Sequence, residues 1–78
     1  MCGIAGIIDQ RLSQSDLRAR GVCMASSLEH RGPDDEGVWL SGLNGVVLAH
    51  RRLAIIDPSR HGHQPMTSHD GRWTIVFN

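Results

Sequence analysis

The sequence contains no lysine: its eight basic residues are all arginines and balance eight acidic residues, so the net charge is zero with neutral histidines. Proteins that bind nucleic acid or membrane surfaces usually carry a basic excess, which is absent here. No apolar run approaches the roughly 18 residues of a membrane span, and no basic segment of the secretory-signal kind opens the chain. We therefore expect a cytoplasmic protein that binds neither nucleic acid nor membranes.

Cysteine is also scarce, with only Cys2 and Cys23. One disulfide is conceivable, but small disulfide scaffolds usually carry four or more cysteines and the cytosol disfavours bridges. Both are interpreted as free thiols, with Cys23 in the core of a helix. Five histidines raise the question of zinc, yet there is no Cys-x-x-Cys, and the pair His61-x-His63 has no partner pair. Histidines in surface loops are the simpler interpretation, and no metal site is predicted.

Hydrophobic patterning predicts strands and one helix, with no internal repeat or linker. The predicted elements are a buried strand over residues 4–9, a helix that begins near Ser13 and ends at Gly32-Pro33, strands over residues 38–40 and 46–49, and a strand over residues 73–77. Asn44-Gly45 predicts a type I′ hairpin turn, which needs a positive φ at both central positions. The fold class is therefore α+β with a mostly antiparallel sheet.

The last predicted strand runs to Asn78 without a cap or a polar tail. A domain of 78 residues buries only about 60% of the surface that its unfolded chain exposes, so its core is marginal. We expect residues 1–78 to be the first part of a larger domain whose core this segment does not close.

Cys2 is the first candidate for chemistry. Its small side chain suits removal of Met1, which would place a thiol and a free α-amine on the same residue. An α-amine with a pKa of about 7.7–8.0 can serve as a base for the thiol near neutral pH. The pairing forms a nucleophile-plus-base unit like that of N-terminal threonine enzymes.

Motifs around Cys2 extend along the whole chain. They are Cys-Gly-Ile-Ala-Gly-Ile at residues 2–7, His-Arg-Gly-Pro-Asp at residues 30–34 with Gly37, Leu-Ala-His-Arg-Arg-Leu-Ala-Ile-Ile-Asp at residues 48–57, and Gln-Pro-Met at residues 64–66. With these motifs the chain resembles class II glutamine amidotransferases with an N-terminal nucleophile. Within that class it resembles the glutaminase domain of asparagine synthetases. The fold implied is part of an N-terminal-nucleophile hydrolase sandwich, incomplete in this chain.

The resemblance implies a role for each matching residue. Cys2 matches the nucleophile that attacks the side-chain amide of L-glutamine. Arg52 matches the arginine that holds the substrate α-carboxylate, and its planar guanidinium suits bidentate capture. The backbone of Leu53 and of Ile55 matches the lining of the glutamine pocket. Asn78 matches an asparagine whose amide binds the substrate and donates to the oxyanion.

Other polar residues receive structural interpretations. Arg51 is expected to be solvated or paired on the surface, and His50 to be a packing residue with satisfied hydrogen bonds. Arg31 either supports the wall of the site or pins its own turn, with the second favoured. The acidic residues 34–36 are expected to form a solvated loop.

The resemblance also implies partners that these residues do not supply. They are the remainder of the amidotransferase domain and a synthetase domain that uses ATP and Mg²⁺ to make asparagine from aspartate. No cofactor is expected in residues 1–78, and the segment alone is expected to be inactive. Two alternatives stay open: a related amidotransferase whose acceptor is a sugar, peptide or antibiotic, and a non-catalytic structural module.

Overall fold

The computed structural model describes residues 2–41, 43–54 and 60–78, and of Arg60 it describes the backbone only. The elements in chain order are β1 (Gly3–Ile8), α1 (Gln14–Ser27), β2 (Asp35–Ser41), β3 (Val46–Arg52), a 3-10 turn (Arg60–Gly62), β4 (Met66–Thr67) and β5 (Thr74–Ile75). The predicted α+β class is confirmed. No helix in the described residues is long and apolar enough to cross a membrane.

β3 is the central strand of a three-stranded antiparallel sheet with the order β1-β3-β2. Gly3 lies opposite Arg51 in one pairing, and Asp35 lies opposite Arg52 in the other. Because strand residues alternate between faces, Val47 and Ala49 lie on one face of β3, and both are fully buried.

The helix α1 covers that face. Its N-cap is Ser13, near which the helix was expected to begin, and the Ser13 hydroxyl accepts a hydrogen bond from the backbone N–H of Asp16 at 3.2 Å. Leu17 and Ala25 are buried on a line with Gly21, where an added Cβ would lie 2.6 Å from Cγ2 of Val47. Full burial of a side chain such as Leu17 contributes roughly 1.5–3 kcal/mol to folding.

Four expectations about the first half of the chain need correction. Cys23 is exposed, not in the core, because it lies two residues beyond Gly21 and so points away from the buried line. The helix ends at Ser27, before Gly32, because the N–H groups of Leu28 and Glu29 bond to carbonyls three residues back. β1 is not fully buried, since Ile8 on its second face is 81% exposed.

The fourth correction concerns the hairpin between β2 and β3. Gly45 has a φ of +64°, but no residue other than glycine has a positive φ among those described, so Asn44 does not adopt a type I′ turn. Four residues separate Ser41 from Val46, whereas a type I′ turn joins strands through a two-residue loop.

The second sheet is the short hairpin of β4 and β5, which turns through Gly71 with a φ of +76°. β4 was not predicted, and β5 covers only two of the five residues 73–77. The indole of Trp73 is 69% exposed, with the Arg72 guanidinium 5.9 Å from the ring centroid.

Candidate active site

The alternation of β3 separates its two arginines. Arg51 follows Val47 and Ala49 onto the helix-covered face, whereas Arg52 follows His50 onto the other face, here called the open face. The open face of β3 also carries Leu48, which lies beside Ile4 and Val76 in an apolar depression. Adjacent residues of identical chemistry therefore meet different surroundings.

Cys2 belongs to the open face. Gly3 lies opposite Arg51, so continuing the register by one residue places Cys2 opposite Arg52. On the other side of β3, Asp35 lies opposite Arg52. Arg52 and Asp35 thus form a row across β3 and β2 that ends beside Cys2, just before β1, and the carboxylate of Asp35 binds Nδ1 of His63 at 2.6 Å.

Two contacts fix Cys2. The backbone N–H of Leu53 points at the Cys2 Sγ with a nitrogen–sulfur distance of 3.5 Å. The Nε of Arg31 donates to the Cys2 carbonyl oxygen at 2.9 Å. Arg31 thus contacts the candidate nucleophile itself, which corrects the preference for a role confined to its own turn.

Arg52 is buried, with 9% of its surface exposed. Its guanidinium lies against the backbone of Gly62 in the 3-10 turn, where an added Cβ would overlap it. A carboxylate that reaches Arg52 must therefore approach beside this turn.

Arg51 is paired, as predicted, but it is buried and not on the surface. Only 8% of its side chain is exposed. Its Nε donates to the Gly32 carbonyl at 2.8 Å, and its Nη1 pairs with Glu36 at 2.6 Å. A weaker pair joins it to Glu29 at 3.6 Å. These contacts lock the segment after α1 against β3.

The acidic residues 34–36 do not form a solvated loop. The Asp34 carboxylate accepts a hydrogen bond from the Ala54 N–H at 2.8 Å, while Asp35 binds His63 and Glu36 binds Arg51. Asp35 and Glu36 begin β2, whose alternation sends them to opposite faces, each toward a basic partner. The sequence signal that could have predicted such pairs is the placement of opposite charges on neighbouring strands.

A second row lies on the open face two residues along β3. His50, which is 1% exposed, lies opposite Ile4 and Gly37. Its Nε2 is 3.2 Å from the carbonyl oxygen of Phe77. A carbonyl can only accept, so His50 carries its proton on Nε2 in this contact. Burial lowers the pKa of His50 below its usual 6.5, and the bond to Phe77 offsets this only in part.

Gln64 lies beside this second row and contacts the same residue, Phe77. It is 6% exposed, and its Oε1 accepts a hydrogen bond from the Phe77 N–H at 2.8 Å. The Gln64 carbonyl lies over Gly37 so closely that an added Cβ would overlap it. Gln64 and His63 were not among the predicted site residues, since nothing local in the sequence marks their distant partners.

The predicted site residues are therefore placed as follows. Cys2, Arg52 and Leu53 lie together where β1 begins and β3 ends, and Asn78 follows the anchored Phe77. Ile55 lies outside the described residues. No group of three side chains able to hold a metal ion occurs within the described ranges.

The chain belongs to the family of glutamine amidotransferase domains, which it matches over residues 1–78. It is 38% identical over 78 residues to a glutamine-hydrolysing asparagine synthetase of Brassica oleracea and 38% identical over 80 residues to asparagine synthetase 3 of Bacillus subtilis. It is 32% identical over 78 residues to asparagine synthetase B of Escherichia coli. All of this chain is covered in each comparison, but only 12–14% of each relative. No solved structure matches the chain significantly.

Proposed function

We propose that this chain carries the nucleophile and part of the substrate pocket of a glutaminase, with Cys2 as the attacking residue. The observation that carries the proposal is the convergence at Cys2: its thiol meets the Leu53 N–H at 3.5 Å, and its carbonyl is held by Arg31 at 2.9 Å. Both contacts fix the residue where a nucleophile needs a defined direction of attack.

The proposed chemistry begins after removal of Met1. The α-amine of Cys2 takes the thiol proton, and the sulfur attacks the side-chain amide carbon of glutamine. Collapse of the tetrahedral intermediate breaks the carbon–nitrogen bond, and the amine returns the proton to the departing ammonia. Water then hydrolyses the γ-glutamyl thioester to glutamate and restores the thiol.

The substrate is held by residues of the same region. The Arg52 guanidinium binds the α-carboxylate of glutamine beside the 3-10 turn, because a planar fork matches a carboxylate. The backbone of Leu53 lines the pocket, and the resemblance assigns the same role to Ile55. The Asn78 amide donates to the oxyanion of the intermediate, a type of contact often worth 10²–10³ in rate.

The names of the relatives extend the proposal to the whole protein. In it, the released ammonia is used by a synthetase domain to make asparagine from aspartate, with ATP and Mg²⁺. We assign that chemistry to a part of the protein outside these 78 residues, because the chain covers only 12–14% of the length of these relatives. The remainder of the amidotransferase domain is the proposed partner of the open face, whose Ile4 is 48% exposed.

The test uses the full-length protein and two nitrogen donors. Cys2→Ala and Cys2→Ser should abolish glutamine hydrolysis and glutamine-dependent synthesis, while synthesis from added ammonia continues. Cys23→Ala is the matched control, since that thiol is exposed on the outer surface of α1 and should be dispensable. Intact-mass measurement of the active protein should show that Met1 is absent. Glutamine hydrolysis at a near wild-type rate by Cys2→Ala would refute the proposal.

A further inference from the structure

We infer that His50 and Gln64 are positioning residues that fix Asn78 by holding both backbone groups of Phe77; this rests on the role proposed for Asn78. The observation is that two side chains hydrogen-bond to the backbone of the same residue. The Phe77 N–H donates to Oε1 of Gln64 at 2.8 Å, and the Phe77 carbonyl accepts from Nε2 of His50 at 3.2 Å.

The position of these two hydrogen bonds along β3 matters for Asn78. His50 is two residues before Arg52 on the same face of β3, and strand residues rise about 3.3 Å each. His50, which holds the Phe77 carbonyl, therefore lies about 7 Å along β3 from Arg52. Because Asn78 is bonded directly to Phe77, the position of the anchor limits where the Asn78 amide can lie.

Both anchoring side chains are rigidly placed. They are 1% and 6% exposed, respectively, so neither has room to change rotamer freely. Gly37 provides the space for Gln64, since any side chain there would overlap the Gln64 carbonyl. In contrast, Phe77 itself is 50% exposed, so packing of its ring contributes little, and the two hydrogen bonds are the restraints on its backbone groups.

The geometry predicts an effect on turnover and little effect on substrate binding. The contact of the Asn78 amide with the oxyanion strengthens in the transition state, so its displacement lowers kcat more than it raises KM, even though the same amide also binds the substrate. In the full-length protein, Gln64→Met should lower the glutaminase kcat by about 10- to 100-fold and change the glutamine KM by less than about threefold. Met has a similar shape to Gln but lacks the strong acceptor.

His50 allows a rescue test. His50→Leu removes the donor and should lower kcat to a similar extent. His50→Gln places an amide nitrogen near the position of Nε2 and should recover most of the loss. The matched control is Thr74→Val, which removes the 3.3 Å contact to the Thr67 hydroxyl in the same hairpin without touching Phe77. This control should keep kcat within about twofold of wild type.

A double-mutant cycle with Asn78→Ala separates positioning from general destabilisation. Once the Asn78 amide is gone, Gln64→Met should cost less than about threefold, because there is no donor left to misplace. Independent effects that multiply in the double variant would overturn the inference. So would an equal loss of kcat in the Thr74→Val control. If His50→Leu does not fold, the Gln64→Met cycle decides alone.

The outcome is distinguishable from failure of the proposed function. If Cys2→Ala keeps glutamine hydrolysis, the nucleophile is wrong and the inference falls with it. If Cys2→Ala is inactive but the effects of Gln64→Met and Asn78→Ala on kcat simply multiply, only the positioning role of His50 and Gln64 is refuted.

Discussion

Replacement of the two neighbouring arginines of β3 by alanine should affect different properties: stability for Arg51 and glutamine binding for Arg52. Arg51→Ala removes a buried donor to the Gly32 carbonyl, and a hydrogen bond from a charged group contributes about 1.5–3 kcal/mol. The carboxylates of Glu36 and Glu29 are 39% and 70% exposed, so solvent screens both pairs and together they add at most about 1 kcal/mol. We expect a total loss of about 1.5–4 kcal/mol in local stability.

Hydrogen exchange of the β3 amides in the full-length protein measures this loss. A loss of about 1.5–4 kcal/mol corresponds to roughly 10- to 700-fold faster exchange, because each 1.4 kcal/mol is a factor of ten. The control is Arg18→Ala, an exposed arginine on α1, which should change stability by less than about 0.5 kcal/mol. The glutamine KM of the folded Arg51→Ala protein should stay within about threefold of wild type.

Arg52→Ala should instead raise the glutamine KM at least about 10-fold, since a charge-assisted contact to the substrate is lost. Arg52→Lys should recover little of this, because one ammonium cannot reproduce the fork of a guanidinium. Equal effects of the two alanine variants on KM, or slow exchange retained in Arg51→Ala, would refute the division of roles derived from the strand alternation.

Three further predictions follow from burial and exposure. Because burial lowers the pKa of His50, the unfolded state binds more protons below pH 6.5, so stability should fall as the pH is lowered through that value. The free energy of unfolding of wild type and of His50→Gln should differ in its pH slope by up to about 1.4 kcal/mol per pH unit. Identical slopes would contradict this. Gly37→Ala should lower the glutaminase kcat as Gln64→Met does, because the methyl group displaces Gln64, and an unchanged kcat would argue against that contact. The 78-residue chain alone should be inactive toward glutamine and self-associate, because Trp73 and Ile75 are 69% and 54% exposed; turnover by a monomer in sedimentation analysis would contradict this.

Local patterns in the sequence were sufficient for part of the fold. The N-cap at Ser13 and the hairpin that joins β2 to β3 depend on neighbouring residues, and both are present. The helix end and the turn type were wrong, because Gly32 packs against the backbone of β3 and Gly45 against residues 9 and 10 just after β1, contacts that no local pattern shows. In particular, Gly45 lies so close to Asp9 that an added Cβ would be 2.6 Å from its carbonyl oxygen.

The candidate site was likewise predictable from the sequence only in part. The motifs and the resemblance drew attention to Cys2 and Arg52, and the strand register places these two in one row. Contacts such as that of Gln64 with Phe77 join residues 13 positions apart, and that of His50 with Phe77 joins residues 27 apart. No periodicity encodes such pairs, because they depend on how the hairpin of β4 and β5 lies against the sheet.

The apolar residues of β3 set the register on which the site depends. A slip of one residue would turn every side chain of β3 to the opposite face. The charges oppose such a slip only weakly, because Asp35 and Glu36 are adjacent carboxylates and either could face either arginine. Val47 and Ala49 oppose it strongly, since both are fully buried under α1 and a slip would place Leu48 and His50 there. Packing against the helix thus determines which arginine shares a row with Cys2.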